Sequence, residues 1–265
     1  MLTIIQQIIL GVIQGITEWI PISSSAITTL VMTNFFSITD LSTLLHMSLF
    51  LHLGTFLAAL IYFRKDVWEI LKSPFEEYSD DDTLKIFRFL IITTIISGII
   101  GLIILKFLTS IENDLEVTGK TITFLVGILL LFTGTIQIKI RNRGLRKEKN
   151  IKNTDGILLG LAQGLASVPG ISRSGITVST LLLTKFDDTT ALRLSFLMSL
   201  PIVLVGNLIL NWNNFTLTNT AIYGVLASFV VGLLTIHGLM KLSKRINFGW
   251  FVLIFAALML GSVLI

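Results

Sequence analysis

Residues 156–184 carry a single formal charge, Arg173, which stands in PGISRSG between Ser172 and Ser174. Residues 1–39 likewise carry one, Glu18, just ahead of the triplet Ser23, Ser24 and Ser25 in TEWIPISSS. A guanidinium is a planar fork that grips a phosphate through two parallel hydrogen bonds. A helix that restarts after a break turns its unpaired N–H groups and the positive end of its dipole toward the same place, and such a start is an anion site. Ser23, Ser25, Ser172, Arg173, Ser174 and Thr177 are therefore candidate phosphate ligands along with Ser24, and Gly170 lets backbone approach closely. Glu18 is the carboxylate beside them, and Gln14, one turn earlier, shares its helix face. The competing reading is an Arg173–Glu18 pair that only locks two segments together, with serines serving close helix packing. Against it stands cost, because an arginine at bilayer centre is unfavourable by about 2.5–3.5 kcal/mol even on a lenient scale, and such residues usually mark substrate or ion pathways.

The elements that must position these residues are membrane helices. Of 265 residues, 53% are hydrophobic and 14% charged, with a mean hydropathy of +0.86, whereas a soluble domain has roughly a quarter of its residues charged. The composition predicts an all-α integral membrane protein. A helix needs about 20 mostly apolar residues to span the hydrocarbon core, and six transmembrane helices are expected, at 41–63, 89–105, 121–138, 194–212, 217–240 and 246–265. No cleavable signal pattern opens the chain. The absence of cysteine excludes disulfides, thiolate metal sites and cysteine nucleophiles. The acidic residues 78–82 read as a solvated face, and His46, His52 and His237, isolated on spans, read as core or interface histidines.

Two further segments are too short in each arm to cross. Residues 1–36 break at 21–25 and residues 156–186 break at 169–174, so both are expected to be re-entrant helical hairpins, whose irregular backbone is tolerated at depth only against protein or a watery cavity. The two superpose without a gap: Gln14 falls on Gln163, Ser23 on Ser172, Ser24 on Arg173 and Ser25 on Ser174. Three crossings lie between them, so the repeats are expected to be inverted, meeting near the midplane. A single polytopic domain results, with repeat one at about 1–138, repeat two at about 156–265, and a basic loop 139–155 that the positive-inside rule places in the cytoplasm.

The pair QGITEWIPISSS and PGISRSGIT closely resembles the undecaprenyl-diphosphate phosphatase family, the bacitracin-resistance membrane proteins, whose motifs run (E/Q)GxTEFLPVSSxGH and PGxSRSGxT. The resemblance continues through LHLGTFLAALIYFRK and LSFLMSLPIVL. It implies hydrolysis of a polyprenyl diphosphate lipid to the monophosphate on the outer face of the cytoplasmic membrane. It also implies a divalent cation, Mg²⁺ or Ca²⁺, held by Glu18 and Gln14, with catalysis by Glu18, Ser24 and Arg173. Ser24 is then the nucleophile and Glu18 its base, or Glu18 orients a water that attacks directly. The expected partners are the lipid substrate and membrane lipids, with no nucleic acid; a homodimer stays open. A non-catalytic transporter or flippase is the alternative. One departure matters: where the family has histidine after the first-loop serines, this chain has Ile27, and an imidazole placed there would be expected to stand beside Ser24.

Overall fold

The computed structural model describes residues 2–20, 23–76, 81–112, 119–139, 144–168, 171–210 and 220–243, with isolated positions between 250 and 261. Among them the regular structure is helical, in the order α1 (Ile4–Thr17), α2 (Ser24–Phe36), α3 (Leu41–Tyr62), α4 (Arg64–Lys72), α5 (Asp81–Glu112), α6 (Gly119–Lys139), α7 (Asn153–Leu165), α8 (Arg173–Leu183), α9 (Asp188–Leu210) and α10 (Ala221–Ser243). A parallel bridge between Arg146 and Phe186 is the one strand-like pairing in these residues.

Among the described residues four helices are long and apolar enough to cross a membrane: Ser42–Tyr62, Asp81–Phe107, Asp188–Ile209 and Ala221–Gly238. They coincide with four of the expected spans. The expected span 121–138 falls on α6, and that at 246–265 lies mostly outside the described residues. The protein is therefore an all-α membrane protein.

The two broken segments are helix pairs. α1 stops at Thr17 and α2 begins at Ser24; α7 stops at Leu165 and α8 begins at Arg173. Pro21, Ile22, Pro169 and Gly170 lie outside the described residues. Each new helix starts on a serine cap, because an extended residue with a side-chain oxygen satisfies an orphan N–H of the first turn. Ser23 Oγ accepts from Ala26 N at 3.2 Å, and Ser172 Oγ accepts from Gly175 N at 3.0 Å. Ile4 and Asn153, which open α1 and α7, have the same separation in sequence as Ser24 and Arg173, which open α2 and α8.

Packing follows the same correspondence. Gly11 and Gly15 let α1 lie directly on α10, where a Cβ on Gly15 would come within 2.8 Å of Gly232 N; their counterparts Gly160 and Gly164 do this for α7 on α5, where each Cβ would stand 2.7 Å from Ile96 Cβ or Ile100 Cβ. Small residues at such crossings allow the backbone contact that drives helix association in lipid. Trp19, just past α1, donates to Gly232 O at 3.0 Å and stacks edge-on against Phe196 at 5.4 Å between centroids. These contacts fix the first turn against α10 and α9. At the basic loop, Arg146 lies over the Phe186 ring at 4.2 Å and pairs with Asp155, while Arg193 of α9 joins Glu148 to Asp66. Arg146, a base of the loop read as a topological signal, thus also braces the chain just before α9.

Candidate active site

Glu18 is the centre of the site. It caps the C-terminal end of α1, is 5% exposed, and receives polar groups from four other elements or positions. Gln14 Nε2 donates to Oε2 at 2.9 Å, one helical turn away, and Ser24 Oγ at the start of α2 donates to the same oxygen at 2.7 Å. Arg173, the first residue of α8, donates through Nη2 to Oε1 and through Nη1 to the Ser195 carbonyl of α9 at 3.2 Å. The fourth neighbour is His52 of α3, whose Nε2 is 3.2 Å from Glu18 Oε2 and 3.5 Å from Ser24 Oγ.

Burial of these charges in a medium of low dielectric is costly unless each is paired and hydrogen-bonded. The cluster meets that demand for Glu18. His52 is aimed by its own helix, since Nδ1 lies 2.6 Å from Ser48 O; a carbonyl can only accept, so Nδ1–H donates there and Nε2 is the ring nitrogen turned to Glu18 and Ser24. The two broken segments are also tied to each other through Ser174 Oγ, which donates to Ile20 O at 3.2 Å.

A cavity of 210 Å³ opens over the cluster, and Glu18, Ser23, Ser24, Ser25, His52, Gln163, Ser172, Arg173 and Ser174 line its polar end. The starts of α2 and α8 therefore face one space, with the serine hydroxyls and the guanidinium around it. Two of the expected phosphate ligands differ. Thr177 is fully buried but turns its hydroxyl to Ser195 Oγ at 2.7 Å and to Arg173 O at 2.8 Å, away from the cavity lining; it steadies Arg173 instead. Gly170 lies outside the described residues.

The histidine expectation is corrected outright. His52 belongs to the site, and Ile27, where an imidazole was expected to stand beside Ser24, packs with the apolar cluster of Leu10, Ala26 and Met32 and does not line the cavity. A signal for His52 existed in Ser48, His52 and Thr55, which recur at helical spacing on one face of an otherwise apolar span. Ser195 was missed altogether, because its contribution to Arg173 is a backbone carbonyl. His237, by contrast, pairs with Tyr62 Oη at 3.2 Å on the exposed surface.

A divalent cation fits these residues in a restricted way. Gln14 is fully buried, and its Oε1 has no hydrogen-bond partner, which leaves an oxygen beside Glu18 of the kind hard cations take. Both Glu18 oxygens already accept hydrogen bonds. Of the two only Glu18 lines the cavity where water and substrate phosphate would complete an ion's shell, so one carboxylate with the buried amide oxygen behind it makes a partial site and not an all-protein cage.

Comparison with known proteins converges on one family. The model of the bacitracin resistance protein BacA matches residues 7–262. A protein of Methanococcoides burtonii described as undecaprenyl-diphosphatase is 42% identical over 258 residues, 95% of each chain. Proteins of the same description from Methanothrix thermoacetophila and Haloarcula marismortui are each 34% identical, the first over 93% of this chain and 92% of its own, the second over 99% and 98%.

Proposed function

The chain belongs to the bacitracin resistance protein family, and from that premise we propose that it hydrolyses undecaprenyl diphosphate, or a related polyprenyl diphosphate, to the monophosphate and inorganic phosphate. The observation that carries this reading is the convergence of Ser24, His52 and Arg173 on the buried Glu18 at the polar end of one cavity. The reaction would return a lipid carrier to use in envelope glycan synthesis.

The terminal phosphate sits between the starts of α2 and α8, where Arg173, the serine hydroxyls and free N–H groups neutralise the charge that spreads over its oxygens during transfer. Ser24 Oγ attacks phosphorus and the bridging P–O bond breaks, releasing the polyprenyl monophosphate. The hydroxyl proton passes to the Glu18–His52 pair that already faces it. Water then attacks the phosphoserine: the pair returns the first proton to Ser24 Oγ as the P–Oγ bond breaks, takes one from the water and loses it to solvent, and inorganic phosphate leaves. In the competing route the pair orients water for direct attack on the lipid diphosphate. Glu18 and Gln14 would hold the divalent cation, which supplies charge neutralisation at the diphosphate.

We infer the fuller architecture of six spans and two inverted re-entrant hairpins, with a phosphate site near the midplane open to the outer face of the cytoplasmic membrane; the four long apolar helices and the equal spacing of the two broken helix pairs support its helical part. A prenyl diphosphate is anchored in lipid, so a site within the membrane meets it without extracting the chain. A transporter of the same lipid would leave the diphosphate intact. Purified protein in detergent micelles has no two sides to transport between, so appearance of polyprenyl monophosphate with an equal amount of phosphate supports the hydrolase, and recovery of unchanged diphosphate overturns it.

A further inference from the structure

The cavity does not end at its polar groups. It continues as an apolar arm walled by Leu45 and Leu49 of α3, Leu102 of α5, and Ile202, Val205 and Ile209 of α9. Ile209, at the rim, is 54% exposed, so the arm reaches the surface that faces lipid.

Glycines account for its width. A glycine inside a helix is less favourable than alanine, so its presence calls for a reason. On α1 and α7 that reason is direct helix packing, as the Gly160 and Gly164 contacts show. Gly98 of α5 and Gly206 of α9 also line the cavity, yet neither is needed for close approach. A Cβ on Gly98 would meet nothing nearer than Ile202 Cδ1 at 3.9 Å, and one on Gly206 nothing nearer than Leu49 Cδ2 at 3.8 Å, both ordinary van der Waals separations. The missing side chains do not draw helices together; they leave room.

We propose that Gly98 and Gly206 keep open a lane between α3, α5 and α9 that seats the first isoprene units of the substrate. The inference rests on the polyprenyl diphosphate reading. A diphosphate held at Arg173 has one organic substituent, and the apolar arm is the continuation of the same cavity. Its branched aliphatic walls match a branched chain with no polar atom to satisfy, and its open rim passes the remainder of the chain to the bilayer.

The test reads binding by full-length protein in lipid nanodiscs, with two non-hydrolysable ligands: the undecaprenyl ester of methylenebisphosphonate and its methyl ester, which has the headgroup and no chain. Wild type should bind the long ligand more tightly. Gly98→Leu and Gly206→Leu should each weaken the long ligand roughly tenfold by filling the lane and leave the methyl ester within about twofold. Gly206→Ala, which fits the available space, should leave both ligands near wild type and so reports on folding. Equal affinity of wild type for the two ligands overturns the lane, as does a leucine variant that leaves long-chain affinity unchanged or weakens both ligands alike. Because binding is read, absence of hydrolysis would sink the enzymatic reading while the lane is still judged on its own result.

Discussion

His52 Nε2 stands 3.2 Å from Glu18 Oε2 although the two residues belong to different helices, α3 and the end of α1. The same nitrogen is 3.5 Å from Ser24 Oγ. This chain thus brings an imidazole to the serine from a neighbouring span, where the family motif carries its histidine on the serine's own helix. His52→Gln should lower kcat about 100-fold, within the usual range for loss of a proton-transfer group, with KM little changed. Ile27→His added to His52→Gln should not restore the rate, because position 27 packs against the apolar cluster and does not line the cavity. Recovery in the double variant, measured by steady-state phosphate release, would place position 27 at the cavity after all.

Arg173→Lys keeps the charge and loses the fork that joins Glu18 Oε1 to the Ser195 carbonyl. An ammonium cannot hold both and still meet a phosphate in the plane of the guanidinium. The variant should fold and lose roughly 100-fold in kcat/KM, the scale of one preorganised donor at a reacting oxyanion. Near-normal turnover would reduce Arg173 to a structural tie between α8 and α9.

The unsatisfied Gln14 Oε1 makes a prediction about the cation. Gln14→Leu should raise the Mg²⁺ concentration for half-maximal activity by about tenfold, as loss of a supporting ligand commonly does, and Gln14→Glu should leave that concentration unchanged or lower it. Titration of activity with Mg²⁺ after chelation checks both. A Gln14→Leu protein with the wild-type cation dependence would remove this residue from the cation site.

Much of the site was legible in the sequence because charge is so rare in this chain. Glu18 and Arg173 each stood alone in a long uncharged run, and the serines after each break matched the caps that helix starts require, so the motif residues and their meeting could be read in advance. His52 was not read, because its spacing with Ser48 and Thr55 marks a helix face without saying whether that face meets a neighbouring helix or a cavity, and only tertiary packing of α3 against the α1 end decides. Thr177 differs for the reverse reason: one turn along α8 from Arg173 it shares the right face, but its hydroxyl meets Ser195 Oγ and the Arg173 carbonyl. In the fold, hydropathy located α3, α5, α6, α9 and α10, while α4 went unread because it is a short helix continuing from α3 past Phe63.

Sidedness is testable with single cysteines, because the chain contains none. If α1–α2 and α7–α8 re-enter, cysteines at Thr3 and Thr39 should both react with a membrane-impermeant maleimide in intact cells. Those at Lys147 and Lys185 should react only after lysis. Thr39 and Lys185 are exposed residues at the far ends of α2 and α8, so the labels do not disturb the site. Labelling of Thr3 and Thr39 from opposite sides would make the first helix pair a true crossing and would end the inverted-repeat geometry.

The most direct test of the account compares wild type with Glu18→Gln, purified in detergent and supplied with undecaprenyl diphosphate and Mg²⁺. Gln14, Ser24, His52 and Arg173 all meet at this carboxylate, and the amide keeps its size while losing its charge and half its acceptor capacity. Wild type should release one phosphate per lipid and leave undecaprenyl monophosphate, whereas Glu18→Gln, with an unchanged elution profile, should fall by at least about 100-fold. A variant that releases phosphate at the wild-type rate, or a wild type that releases none, would contradict the assignment of this site.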